Sequence, residues 1–216
     1  MLDDTQALAT LIDVEDATSW CEEEFSDVEL GDKRLNRRLI RTAIKLTMQP
    51  TAPINQACED WATTKASDRL FDNDKVVLDK ILEPRQQQTQ ERMKASPLVL
   101  AVQDTSYLNY TSHTQTEGLG PIGTEEQNLS GLLMHPTLIL TPAGLPLGVL
   151  TQEIWARAED ASELTQTEKK NRPIEEKESC KWLKGLEKTV ELTPEGVEVP
   201  AKNNEPKREA IVVSSQ

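Results

Sequence analysis

Leu98-Val99-Leu100-Ala101-Val102-Gln103-Asp104-Thr105 is the stretch on which the fold turns. Five aliphatic residues in a row, entered through Pro97 and left through Gln103, predict a central strand covered on both faces. Asp104 falls at its end, where a sheet opens to solvent. A strand-capping role and a metal-binding role are both open for its carboxylate, and the flanking segments must weigh between them.

Upstream the pattern is helical from Trp20 to about Met93. Asp32 is a natural N-cap for a helix from Lys33 to about Met48. Leu35, Leu39, Ala43 and Leu46 recur at helical spacing as a core stripe, and Arg34, Arg38, Arg41 and Lys45 line an adjacent face. Pro50 and Pro53 end that helix. A second helix is expected from about Ile54 to Leu70 and a third from about Lys75 to Leu82. Pro84 suits the first turn of a fourth, running to Met93. Residues 1–18 read as an acidic leader or a short helix.

Downstream a polar loop is expected over 105–130, carrying Gly118, Gly120 and Gly123. The apolar runs Leu132–Leu140 and Leu147–Trp155 flank Thr141-Pro142-Ala143-Gly144, which has turn chemistry, so they should pair as an antiparallel hairpin. Residues 157–175 read as a charged loop. A helix from about Glu176 to Val190 would set Trp182, Leu183 and Leu186 on one face. Pro194, Pro200 and Pro206 punctuate a tail (191–216) expected to be poorly ordered, in which Val197–Val199 or Ile211–Val213 could pair with an exposed sheet edge. The fold class is therefore α+β: a helical N-terminal domain over 19–95, then strand, antiparallel hairpin and helix over 96–190. That order is how an RNase H-like nuclease or transposase core begins.

Among 216 residues, apolar side chains make up 37% and aromatic ones 4%, so an aliphatic core of modest size is expected. No apolar run reaches the length of a membrane span, and the acidic start lacks the basic residues of a secretory signal. Cys21, Cys58 and Cys180 have no metal-ligand spacing and read as reduced thiols of a cytoplasmic protein. The net charge of −13 is unevenly placed. Residues 1–31 hold ten acids and no base, whereas 32–48 hold six bases (Lys33, Arg34, Arg37, Arg38, Arg41, Lys45) against Asp32 alone. Phosphate binding needs only local positive potential, so overall acidity does not exclude DNA.

Other residues read blandly. His135, inside a strand-like run, suits a packed or hydrogen-bonded histidine, and His113 has no partners at ligand spacing. Thr105 and Ser106 follow Asp104 without a His–Asp pair to activate a hydroxyl. Trp155 and Trp182 suit the core, and Glu153 suits solvent or the end of the hairpin. No Gly-Lys-Ser or Gly-Lys-Thr follows the glycines at 118–123, so they form no phosphate loop.

Four segments carry a resemblance: LGDKRLNRRL (Leu30–Leu39), LAVQDTSYLNY (Leu100–Tyr110), GLLMHPTLILTPAGLPLGVLTQEIWAR (Gly131–Arg157) and EKESCKWL (Glu176–Leu183). In order and spacing they resemble the IS-four group of bacterial DDE transposases, across roughly Trp20 to Lys188. The resemblance implies a cut-and-paste DNA transposase. Its helical domain (19–95) would grip transposon inverted-repeat ends, and its RNase H-like domain (96–190) would use Mg²⁺. Asp104 matches the first catalytic, metal-binding aspartate of the family's Asp-Asp-Glu set. Arg34, Arg38 and Arg69 match basic positions of the end-binding domain. Asp68 stands where the family has an aromatic residue.

Two parts of the pattern are missing. The family's second aspartate lies on a strand after the last helix, yet the final aspartate of this sequence is Asp160. The glutamate signature opens with a tyrosine, and the final tyrosine is Tyr110. The C-terminal region that pairs family subunits has no counterpart either, so any self-association would need another surface. The expectation is a truncated transposase that binds end DNA, binds Mg²⁺ weakly and does not cut on its own. An inert remnant, an inhibitory end-binding fragment and a divergent RNase H-like nuclease are the alternatives.

Overall fold

A computed structural model describes residues 14–123, 127–158 and 180–200. Six helices and five strands are described: α1 (Val14–Glu24), α2 (Lys33–Met48), α3 (Ile54–Ala57), α4 (Trp61–Phe71), α5 (Leu78–Met93), β1 (Leu100–Gln103), β2 (Ser106–Asn109), β3 (Gly120–Ile122), β4 (Leu129–Leu140), β5 (Pro146–Trp155) and α6 (Cys180–Leu192). The fold is α+β, in two units that divide at Gln88/Thr89, within α5.

In the N-terminal unit, Phe25, Val28, Leu30, Leu35, Leu39 and Leu70 form the core. The chain enters α2 through Gly31, whose φ of 79° suits a residue without Cβ. Asn36 then reaches back from α2. Its Oδ1 accepts from Leu30 N (3.0 Å) and its Nδ2 donates to Val28 O (2.6 Å), satisfying backbone groups that no helix or strand pairs.

Two helix boundaries differ from expectation. The helix expected over 54–70 is broken into α3 and α4, because Glu59 adopts φ 64°, a left-handed conformation that no right-handed helix can include. Asp60 then caps α4 afresh. The helices expected on either side of Pro84 are instead one, α5, with Pro84 inside it. Proline forfeits its own bond to the carbonyl of Lys80, but the helix runs on through it.

In the C-terminal unit, β4 is the axis of the sheet: β1, β2, β3 and β5 all pair with it, antiparallel. The hairpin turn closes as the sequence implied, with Gly144 N donating to Thr141 O (2.9 Å) and Gly144 at φ 85°. The expected polar loop over 105–130 is corrected, since it contains β2 and β3. At four and three residues they carry little strand signal of their own, and the twelve-residue β4 supplies the ladder. Gly131 is paired with both Asn109 and Gly120, and a Cβ there would run into the Leu108 carbonyl.

β4 alternates strictly. Gly131, Leu133, His135, Thr137 and Ile139 are buried, whereas Leu132, Met134, Pro136, Leu138 and Leu140 are half-buried on the other side. Among the described residues α6 packs along the buried side of the sheet, and the end of α5 meets the same side, with Thr89 Oγ1 donating to Val149 O at 3.2 Å and Met93 in the core. Gly185 and Thr189 face the sheet, whereas Leu183, expected on the core face, is 49% exposed. Glu153 keeps solvent exposure, as expected, and also accepts from Lys188 of α6 on its Oε1 at 3.1 Å. Cys180 begins α6; residues 176–179 of the expected helix lie outside the described residues, as do 1–13, most of the 157–175 loop and 201–216.

The expected disordered tail is ordered at its start. Val99 N donates to Glu198 O and Glu198 N to Pro97 O, both at 2.9 Å, in a parallel bridge. Val197 and Val199 pack on a core of Met93, Val99, Ala101, Ile139 and Leu150. The three cysteines are free, with Cys21 and Cys58 buried.

Replacing Asn36 with Ala removes two hydrogen bonds and strands a backbone donor and an acceptor. We expect a loss of about 2 kcal/mol in urea unfolding. Asn36→Asp, which keeps the acceptor toward Leu30 N but loses the donor, should fall between.

Candidate nucleic-acid interface and the Asp104 segment

Helix α2 begins because Asp32, extended at φ −151°, ψ 121°, takes Arg34 N on its Oδ1 at 2.8 Å. The helix contains no acid. At 100° per residue its six bases fill an arc of about 140°, opposite the arc of Leu35, Leu39 and Thr42 that is buried. Lys33, Arg34, Arg37 and Arg41 are exposed, and Arg38 is half-buried. Lys45, at the far end, is partly neutralised by Glu59 at 2.6 Å. Five of the six bases therefore form a continuous cationic surface, and the sixth is tied to the α3–α4 joint.

Helix α4 packs on α2 through a buried Thr42 Oγ1–Ser67 Oγ bond of 3.0 Å. Thr64, Ser67 and Leu70 are its buried positions. Its outer face presents Trp61, Lys65 and Arg69 at i, i+4 and i+8, all exposed, so Arg69 lies on the surface as a DNA contact requires. Asp68 shares this face and weakens its positive field. Trp61 is 73% exposed, and Lys65 Nζ stands 5.0 Å from the centre of its ring. Sequence reading missed Trp61. The available signal was a tryptophan directly after an N-cap aspartate, on the face opposite the small buried residues.

Asp60 holds that helix start. Its Oδ1 accepts from Thr63 N (2.8 Å) and its Oδ2 from Thr63 Oγ1 (2.6 Å). The Thr63 hydroxyl first, then its N–H, hold the Asp60 carboxyl below the usual range.

In the other unit, β1 and β2 share one register on β4. Gln103 pairs with Thr137 and Ser106 with Met134, so continuing the ladder sets Asp104 opposite Pro136 and Thr105 opposite His135. Proline has no N–H to give, and the strand is interrupted there. His135 occupies the gap. It is 2% exposed, and its ring meets Trp182 edge-on at 4.6 Å.

The Gln103 amide is oriented by its surroundings. Its nitrogen donates to His135 Nε2 (3.2 Å) and Trp182 O (3.3 Å), and its oxygen accepts from Leu186 N (3.1 Å). It thus bridges a carbonyl and an N–H that sit one turn apart on α6. A Cβ at Gly185 would lie within 2.8 Å of this amide, so glycine is required there. Since His135 Nε2 accepts, its proton resides on Nδ1, which faces Thr105 Oγ1 at 2.9 Å and the Asp104 carbonyl. Asp104 itself is exposed, with Oδ1 accepting from Thr105 N at 2.8 Å. The residue the sequence singled out is therefore held by its backbone, with its side chain at the surface.

That carboxylate does not make a metal site by itself. No group of three or more His, Cys, Asp or Glu side chains that could hold a cation occurs among the described residues. The described donors do not fit the Mg²⁺ that the transposase resemblance implies. No described helix is long and apolar enough to cross a membrane.

Residues 17–76 match a family model described as transposase DNA-binding. The match supports a transposase N-terminal region with a DNA-binding role. It spans α1 through α4 and includes both basic faces, ending before α5.

Burial, then the nearby Lys181 charge, push the His135 imidazole below its ordinary 6.5. The unfolded chain thus takes up its proton first. The stabilisation is complete above pH 6.5 and is lost as pH falls from there through the lower folded value. Urea midpoints at pH 7.5 and 5.5 should show a larger drop for wild type than for His135→Gln.

Proposed function

We propose that this chain is the N-terminal portion of an IS-four-group transposase that binds transposon inverted-repeat ends through α2 and α4, and that it does not cleave DNA by itself. The observation that carries the reading is the acid-free cationic arc of α2 inside the matched transposase DNA-binding region. Lys33, Arg34, Arg37, Arg38 and Arg41 are assigned to phosphates and base edges, with Arg forks suited to bidentate contacts. Arg69 and Lys65 extend the contact along α4, and Trp61 stacks on or wedges against the duplex. Lys45 joins once DNA competes it away from Glu59.

An RNase H-like core is the reading for the sheet. In support, a strand leads into Asp104, an antiparallel hairpin follows, and α6 lies across one face. Asp104 takes the role of the first of three catalytic carboxylates. The chain offers neither a second aspartate after Asp160 nor the tyrosine-led glutamate signature, and one carboxylate cannot position two Mg²⁺ ions for in-line phosphoryl transfer. Occupying ends without cutting them would make this polypeptide an inhibitor of transposition.

Fluorescence anisotropy with a duplex carrying the element's inverted repeat tests the binding half. Arg34→Ala plus Arg38→Ala should weaken binding by ~10- to 100-fold. The slope of log K against log salt should also become shallower, by about 0.9 for each phosphate that is no longer neutralised. Unchanged affinity would sink the α2 assignment. Trp61→Ala should lower affinity while leaving the salt slope in place. For the catalytic half, Mg²⁺ added to the purified chain with end DNA should give no nicking. Nicking that disappears in Asp104→Ala would overturn this part of the proposal.

A further inference from the structure

We infer that Gln103 and His135 are positioning residues through which the seating of α6 sets the Asp104 peptide. The inference deepens the reading of Asp104 as a catalytic carboxylate and rests on it for its functional meaning. α6 packs on β1, β4 and β5. Apolar contacts between a helix and a sheet are non-directional and tolerate small slides. The Gln103 contact is of another kind. Its side-chain amide, on a residue 1% exposed, addresses the helix backbone rather than a side chain. The amide nitrogen donates to Trp182 O (3.3 Å) and the oxygen accepts from Leu186 N (3.1 Å). Those two groups stand at i and i+4, the pair that an α-helix joins to each other. Gly185 leaves the room, since a Cβ there would lie 2.8 Å from the amide nitrogen. A slide or roll of α6 would leave a buried donor and a buried acceptor unpaired, so this contact is either made or broken.

The same amide nitrogen donates to His135 Nε2 at 3.2 Å. A neutral imidazole carries one N–H, so an acceptor at Nε2 requires a donor at Nδ1. The Asp104 carbonyl receives that Nδ1–H, with Thr105 Oγ1 2.9 Å from the same nitrogen. Pro136, opposite Asp104 in the register, has no N–H to offer in its place. The His135 tautomer therefore carries the message. With Gln103 seated on α6, the proton stands on Nδ1 and holds the Asp104 peptide. With the amide displaced, the imidazole reverts toward the Nε2–H form that histidine favours in water, and the carbonyl loses its donor. A helix that touches Asp104 nowhere in this network thus sets where its peptide stands.

Long-range nitrogen–proton NMR of the labelled full chain tests this, and with only two histidines both imidazoles are resolved. At about pH 7.5, above the ordinary imidazole range, His135 should carry its proton on Nδ1. Gln103→Met removes the amide and leaves Trp182 O and Leu186 N to each other. It should move the proton toward Nε2 and speed exchange of the Thr105 N–H, which shares a peptide with the Asp104 carbonyl, by at least ~5-fold. Gly185→Ala crowds the amide from the helix side, touching neither Gln103 nor His135 in sequence, and should do the same. A wild-type His135 with its proton on Nε2 overturns the inference. So does a folded Gln103→Met chain that keeps either the Nδ1–H tautomer or the wild-type Thr105 exchange rate, and Gly185→Ala decides by the same two readouts if Gln103→Met does not fold. Neither DNA nor metal enters the measurement, so its outcome is separate from whether Asp104 serves as a catalytic carboxylate.

Discussion

Four of the five strands exist because of the fifth. β1, β2 and β3 are three or four residues long, too short to hold in water alone, and each is formed by pairing with β4. β5 is the remaining partner, joined through a turn that the sequence specifies. One constraint on β4 then propagates. Pro136 cannot donate at the centre of the sheet, so the neighbouring strand must be interrupted opposite it, and the interruption falls at Asp104. The backbone released there is recaptured by the His135 side chain, which must be buried and neutral to do so. Gln103 secures the other ring nitrogen, and the same amide ties the strand end to α6, where only glycine leaves it room.

The DNA-binding region rests on a different economy, in which one helix serves two environments. Leu35 and Leu39 of α2 are buried with Phe25, Val28 and Leu30, while the opposite arc carries only cations. Concentrating like charge on one helix is unfavourable by itself, since the bases repel one another at i, i+3 and i+4. The apolar stripe, the Asp32 cap and the Asn36 clasp offset that repulsion in the free protein. A polyanion would remove it. Glu59 plays a lesser part by engaging Lys45 from a left-handed position, which also ends α3 and lets Asp60 start the helix that displays Trp61.

Much of this was legible in the sequence because it is periodic or chemically marked. The α2 stripe, the Asp32 cap, the Thr141–Gly144 turn and the two long strands each announce themselves within about a dozen residues. What was not legible depends on partners distant in sequence. Ser106–Asn109 has no strand signal until β4 lies alongside, and nothing about Glu59 forecasts a positive φ. Pro84 sits comfortably at a helix start, so a helix running through it was the less expected outcome. Leu183 was assigned to the core by periodicity, but Gln103 occupies the place where α6 meets the sheet and rotates Gly185 inward instead. Asp104 was found for its position at a strand end. Its anchoring through His135 could be seen only after residues thirty apart were brought together.

The covered face of the sheet combines an apolar core, with Ala101, Leu133, Ile139 and Leu150, and a polar network, and this bears on Asp104. A polar network beneath the sheet is costly unless every member is satisfied, and here Gln103, His135, Thr105, Thr137 and Thr151 satisfy one another or α6. Such a network specifies one register and one helix position, because a slip by one residue would bury Leu138 and Met134 and expose His135. Specificity is thus built into the covered side, alongside the apolar contacts of Ala101, Ile139 and Leu150. The position of the Asp104 peptide is therefore coupled, through His135 and Gln103, to the seating of α6 on the sheet.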